Sequence, residues 1–236
     1  MHTNELRASL GSDSTSLTSR LITPWPGLIE VLGQTDVFDY VEFAAEYAPF
    51  DLHDLDHIAR TAGLSGLSTM IKVDAEARSF LAQRAMAAGI DNVLFTNIRR
   101  ARDAEEAVRA VRAEPDGNNG VRKDRRSGYV GGYASPEEVV RQCDDAVVAL
   151  MIEKKEAMEN LDEILAVEGV DMVQFGPVDY AVSLGKPTQR NSTEVIEAEI
   201  EMIERALAND VAPRVEIKYP EEAEPYLDKG VKHYSL

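Results

Sequence analysis

Glu153 closes the apolar run "VALMIE", and Asp179 lies just beyond a second run, "VDMVQFGP". If the two runs are parallel neighbouring strands, both acids meet on one rim. Their oxygens can there hold a hard divalent cation whose shell is completed by water and substrate. The competing reading makes each a surface acid near a helix N-terminus, stabilised by the helix dipole. Lys72 stands near the end of the run "STMIKV" and adds a cation suited to an anionic substrate. Glu46 and Tyr47 follow "DYVEFAA"; Glu46 reads as an orienting acid or as a surface one. An ordinary phenol, with a pKa of about 10, is mostly protonated at neutral pH. Tyr47 therefore suits a proton donor better than a base, unless a nearby cation such as Lys72 lowers its pKa. A packing role is its alternative.

These side chains need a scaffold that gathers strand ends. The candidate strands are "RLIT", "DYVEFAA", "STMIKV", "NVLFTNI", "AVVALMIE", "VDMVQFG", "PRVEIK" and "VKHYSL". Most are continuously apolar rather than alternating, as parallel strands buried on both faces are. Amphipathic helical stretches separate them, several with start or stop signals such as Ser135-Pro136 and Gly89. This alternation predicts an α/β fold, a TIM (β/α)8 barrel forming a single domain over residues 1–236, with residues 1–19 as an N-terminal lead-in. In that fold the active site lies at the C-terminal strand ends. No G-x-G-x-x-G or P-loop sequence follows a strand, which argues against a nucleotide cofactor. Residues 114–135, "EPDGNNGVRKDRRSGYVGGYAS", form a long Gly- and Arg-rich loop. It reads as a surface excursion, or as a covering or subunit-contacting loop whose Arg122, Arg125 and Arg126 meet an anion.

The 236 residues carry 25 Lys and Arg against 42 Asp and Glu, a formal charge of −17. Such a chain repels nucleic-acid backbones and anionic membranes, so neither is an expected partner. Cys143 is the single cysteine, which suits a reducing cytosol, and it reads as inert. No apolar run approaches the roughly 18 residues needed to cross a bilayer, and a cytoplasmic location is expected. His53 and His57 have the i, i+4 spacing that can hold zinc, but with no third ligand they read as a solvated helix face. Trp25, in "TPWPG", is expected to wall the pocket or to pack at a subunit contact.

The segment "MIEKKEAMENLDEILAVEGVDMVQFGPVDYAVSLG" resembles the signature of the HpcH/HpaI aldolase family, in the phosphoenolpyruvate/pyruvate barrel superfamily. The likeness runs on through "FDYVEFAAEYAPFDLHDL", "MIKVD" and "AAGIDNVLF". The resemblance implies that Glu153 and Asp179 bind magnesium, manganese or cobalt. It implies that a 2-oxo acid, pyruvate or its enolate, chelates that metal, and that backbone N–H groups of the Gly176-Pro177-Val178-Asp179 turn hold its carboxylate. The chemistry implied is class II aldol cleavage of a 4-hydroxy-2-oxo acid to a 2-oxo acid and an aldehyde, with the metal absorbing enolate charge.

The departures from the family pattern are specific. Ala44 and Tyr47 replace the Asp and His of D-x-E-H, and Ala87 replaces the Asp that orients that His. Lys72 replaces an Arg and loses its bidentate fork, and Met151 replaces a Gln that contacts pyruvate. With the usual base missing, Tyr47 or a metal-bound water is left to substitute. Decarboxylation of an oxaloacetate-type acid, which needs no such base, is the alternative activity, and a non-catalytic barrel binding metal and oxo acid is another. The resemblance also implies a homo-oligomer, such as a hexamer built from dimers that exchange a C-terminal helix; the sequence stops at "HYSL", where the eighth strand should end.

Overall fold

The apolar runs become strands because each lies between two apolar layers. The computed structural model describes residues 3–12, 14–120, 125, 129 and 134–236. The strands are β1 (Ser16–Leu21), β2 (Tyr40–Ala44), β3 (Ser68–Val73), β4 (Asn92–Phe95), β5 (Val148–Ile152), β6 (Met172–Phe175), β7 (Ala212–Glu216) and β8 (His233–Ser235). They pair in parallel, in chain order, and close into a barrel where Ser16 meets His233 and Thr18 meets Ser235. This is the expected single-domain TIM-type barrel. Helices α1 (Glu5–Leu10), α2 (Pro26–Gln34), α3 (Leu52–Leu64), α4 (Arg78–Ala88), α5 (Ala101–Val111), α6 (Pro136–Asp144), α7 (Lys155–Glu159), α8 (Leu161–Leu165), α9 (Pro177–Ser183), α10 (Thr193–Ala208) and α11 (Glu224–Leu227) accompany it. None of the described helices is long and apolar enough to cross a membrane.

Alternation along each strand sorts two cores. Outward side chains such as Phe43, Val73, Phe95, Ile152 and Phe175 pack against the helices. Inward ones, Tyr40, Met70, Leu94, Met151 and Met172, fill the lower barrel together with Leu6 of α1. The interior also holds an ion pair, Glu42 with Arg214, both buried. Arg214 further donates to the Tyr40 hydroxyl at 3.3 Å. Removing one partner of such a buried pair typically costs about 3–5 kcal/mol.

The first strand lies earlier than "RLIT" suggests, starting at Ser16 within the expected lead-in. Its inward residues are polar, which hides it from a search for apolar runs. Thr18 Oγ1 donates to the Tyr40 carbonyl at 2.8 Å, and Ser16 Oγ lies 2.9 Å from His233 Nδ1. The lead-in also contains α1, whose Arg7 reaches the bottom of β5 and β6. Its guanidinium forks onto Asp171 with both contacts at 2.7 Å and also donates to the carbonyls of Asp145 and Ala146. Arg112, at the end of α5, adds bonds to Ala146 O and to the same Asp171 carboxylate, which accepts the Val148 N–H at 2.8 Å.

Of the 114–135 loop, Arg122 and Arg126 lie outside the described residues. Arg125 sits 3.9 Å from Asp56 of α3 and against Gly89, away from the strand ends. His53 and His57 are exposed on α3, and no cluster of three or more His, Cys, Asp or Glu that could hold a metal occurs among the described residues. Trp25 is exposed beside Gly27 and does not line the cavity described next.

Candidate active site

Inward residues at the C-terminal strand ends enclose a cavity of about 450 Å³, lined by Tyr47, Lys72, Glu153, Gln174 and the Gly176–Asp179 turn among others. Glu153 follows β5 and is only 5% exposed. Its place depends on two backbone features. Asn97 adopts φ 55°, a left-handed conformation that Asn tolerates better than most residues. Its N–H thereby donates to Glu153 Oε1 at 2.7 Å. On the other side, Gly176 leaves room for the acid: a Cβ there would stand 2.7 Å from Glu153 Cβ and 3.1 Å from its Oε2. Burial raises the Glu153 carboxyl above its ordinary range despite the Asn97 N–H and the nearby lysines.

Asp179 comes from the first turn of α9, where Pro177 occupies the start and gives up no needed N–H. Its side chain is 49% exposed. The Lys154 ammonium joins the two acids, 3.2 Å from Asp179 Oδ1 and 4.0 Å from Glu153 Oε1. The pair of carboxylates therefore already shares a cation, albeit a monovalent one. A hard oxygen donor set of one or two carboxylates, completed by water and substrate, is what magnesium or manganese takes. The residues fit such an ion provided Lys154 gives way, and Glu153 and Asp179 are the two that would hold it.

Across the cavity, β2 runs into a 3₁₀ turn, Ala45–Tyr47, which places Glu46 and Tyr47 beside Lys72 at the end of β3. Lys72 is buried, ion-paired with Glu46, and donates to the Tyr47 hydroxyl at 3.3 Å, its Nζ lying 5.0 Å from the ring centroid. Burial pulls the Lys72 pKa down, but Glu46 and Tyr47 outweigh it and leave the ammonium above the usual lysine range. Beside Tyr47 the Lys72 ammonium does act to lower the phenol, as a nearby cation should. Burial and the Glu46 carboxylate prevail over the ammonium and push it up. Tyr47 stays protonated at neutral pH. Ala87, in the last turn of α4, does not line the cavity.

The structure thus gathers Tyr47, Lys72, Glu153, Gly176, Pro177, Val178 and Asp179 around one cavity. Sequence reading passed over Asn97, Lys154 and Gln174 as site residues. A lysine directly after the strand-end acid was visible in "IEKK"; the direction of the Asn97 N–H was not.

The model of the family described as HpcH/HpaI aldolase/citrate lyase matches residues 29–233. Over 179 residues the chain is 31% identical to the 2-keto-3-deoxy-L-rhamnonate aldolase of Escherichia coli strain K12, covering 74% of this chain and 66% of that protein, a little under two thirds of its length. The crystal structure of the HpcH/HpaI aldolase from Desulfitobacterium hafniense DCB-2 superposes with a TM-score of 0.88 at 22% identity, covering 99% of this chain and 90% of that one. The CitE protein of Mycobacterium tuberculosis, solved in complex with magnesium and acetate, has the same fold (TM-score 0.58, 12% identity, 99% and 87% covered). The extent of the family match settles the relationship: this chain belongs to the HpcH/HpaI aldolase/citrate lyase family.

Proposed function

We propose that the chain is a divalent-metal-dependent carbon–carbon lyase acting on a 2-oxo acid, such as a 4-hydroxy-2-oxo acid, with an aldehyde as the other product. The observation that carries this reading is the sharing of one cation by Glu153 and Asp179 at the barrel mouth, facing the buried ammonium of Lys72. When bound there, magnesium, manganese or cobalt supplies a Lewis acid for the negative charge that builds on the oxo acid as its C3–C4 bond breaks.

The chain's own groups account for the rest. The Asn97 N–H and the space at Gly176 fix Glu153 so that one carboxylate oxygen is left for the cavity. In the first turn of α9 the N–H groups of Val178 and Asp179 precede any intrahelical acceptor and can take a substrate carboxylate. Lys72, held by Glu46, presents a fixed positive charge to substrate oxygen. In the addition direction the Tyr47 phenol can give its proton to the aldehyde oxygen. In cleavage, the reverse of that step, the hydroxyl proton passes to the Tyr47 phenolate, a form that the raised pKa keeps scarce at neutral pH.

That last point supports a second reading, decarboxylation of an oxaloacetate-type acid, in which no hydroxyl proton is removed. Small acids and aldehydes as partners, a cytoplasmic setting and self-association complete the proposal. Exposed Leu64 and Phe80 are consistent with self-association.

The test is pyruvate in D2O with magnesium or manganese, followed by NMR. Metal-dependent exchange of the methyl protons supports a lyase, and comparing turnover of a 4-hydroxy-2-oxo acid with that of oxaloacetate then separates the two activities. Binding without exchange or turnover points to a non-catalytic oxo-acid-binding barrel. If neither pyruvate nor metal binds, the proposal is wrong.

A further inference from the structure

The cavity of about 450 Å³ is in the size range that holds molecules much larger than pyruvate, so a three-carbon oxo acid at Glu153 and Asp179 fills only part of it. The remainder runs round the mouth from Tyr47, past Arg20 on β1, to β7 and the segment joining α9 to α10. Beyond Arg214, Val215 and Ile217 pack into the outer core, so Glu216 and Lys218 take the inward side. Three carboxylates line this region, and each is engaged. Glu216 pairs with Arg20 at 2.5 Å, Glu222 accepts the Lys218 N–H at 2.8 Å, and Glu199 accepts the Tyr226 hydroxyl at 3.4 Å. Deeper in the cavity, Glu42, Lys72, Glu153 and Asp179 have the partners already described. Two cations are left over. Arg190 and Lys218 line the cavity, and neither side chain makes an ion pair or hydrogen bond among the described residues. In a chain with 42 acidic residues against 25 basic ones, cations without a carboxylate partner at an active cavity keep all their donors for what enters it.

We infer that Arg190 and Lys218 form a subsite for an oxyanion, a phosphate ester or a carboxylate, on the aldehyde-derived end of the substrate. This rests on the lyase reading and narrows the substrate class within it. A guanidinium fork takes two oxygens of such a group, and a lysine ammonium adds a point charge. With the 2-oxo acid held between Lys72 and the Gly176–Asp179 turn, the chain beyond its C4 extends past Tyr47 toward β7. The site then reads a negative charge at each end of the substrate. An uncharged aldehyde makes neither contact and leaves both cations to water.

The test has a binding arm and a turnover arm. Calorimetric titration with Mn2+ present compares 2-oxohexanoate with 2-oxoadipate, the same chain ending in a second carboxylate. Pyruvate addition compares glyceraldehyde with glyceraldehyde 3-phosphate. Wild type should favour the charged member of at least one pair by about tenfold, and Arg190→Gln and Lys218→Gln should each cut that preference by about 3- to 5-fold, through Kd or KM rather than kcat. Raising the salt should narrow it as well. Both positions are exposed, so melting temperatures should hold. Preference in the first pair marks a carboxylate subsite, and in the second a phosphate subsite. No preference for either charged compound, or one that survives in the double variant, overturns the inference and leaves the lyase reading intact. A protein that prefers 2-oxoadipate yet exchanges no pyruvate methyl protons keeps the subsite and loses the lyase reading. One that binds neither pyruvate nor these acids loses both.

Discussion

Lys154 holds the place that a divalent ion would share, so removing it should tighten metal binding. Its ammonium is 3.2 Å from Asp179 Oδ1 and 4.0 Å from Glu153 Oε1, and its side chain is 18% exposed beside a half-exposed Asp179. A pair of unit charges at 4 Å is worth about 1 kcal/mol in water and about 4 kcal/mol at an effective dielectric constant of 20. Exposed ion pairs measure at the low end, up to about 1 kcal/mol, because water and salt screen them. Two contacts at a partly screened site therefore place the cost of displacing the ammonium at about 1–2 kcal/mol, or roughly 5- to 30-fold in affinity. Lys154→Ala should lower the Mn2+ dissociation constant by that factor, read from the free-ion signal in electron paramagnetic resonance at fixed ionic strength. Raising the salt should shrink the difference, since the wild-type lysine is then screened. Glu153→Gln should weaken binding in either background. Unchanged or weaker Mn2+ binding in Lys154→Ala would refute the reasoning, because the lysine would then not stand in the ion's place.

Three further outcomes follow from the geometry. Gly176→Ala drives a methyl group into Glu153 Cβ at 2.7 Å; overpacking of this kind costs about 1–3 kcal/mol, so a melting temperature lower by several degrees and weaker Mn2+ binding are expected together. Tyr47→Phe removes a protonated phenol from a side chain that is 56% exposed. Stability should barely change, methyl exchange of pyruvate should persist, and aldol addition should slow by about 10- to 100-fold if the phenol donates to developing charge; equal addition rates would remove Tyr47 from the chemistry. His233, buried beside Arg214 and Lys232, has its imidazole pushed down to about 4. Its folded pKa is depressed, so the unfolded chain takes the proton first, and stability is full above the unfolded value of about 6.5 and lost as pH falls toward 4. The loss approaches about 3 kcal/mol; denaturant unfolding at pH 7 and 4.5 should show a steeper fall for wild type than for His233→Gln.

Much of this was legible in the sequence because buried parallel strands are apolar throughout and chemistry collects where they end. "AVVALMIE" and "VDMVQFG" gave both the strands and the placement of Glu153 and Asp179 at one rim. β1 escaped because its inward residues, Ser16 and Thr18, bond to His233 and Tyr40 rather than filling an apolar core. Gln174 escaped because one amide inside an apolar run reads as an interruption, and only the closed barrel reveals which way it points. Lys72 reads in the sequence as a cation near the acids, but its ion pair with Glu46, and the burial of Tyr47 beside that carboxylate which pushes the phenol up, depend on a 3₁₀ turn that the spacing does not announce.

Arg7 and Arg112 grip Asp171 and Ala146 where β5 and β6 begin, at the opposite end of those strands from Glu153 and Asp179. Two extended strands buried on both sides behave as stiff rods, so fastening their feet together also sets how far apart their heads stand. The gap between the two acids is therefore governed in part by a short helix near the start of the chain that never approaches the cavity.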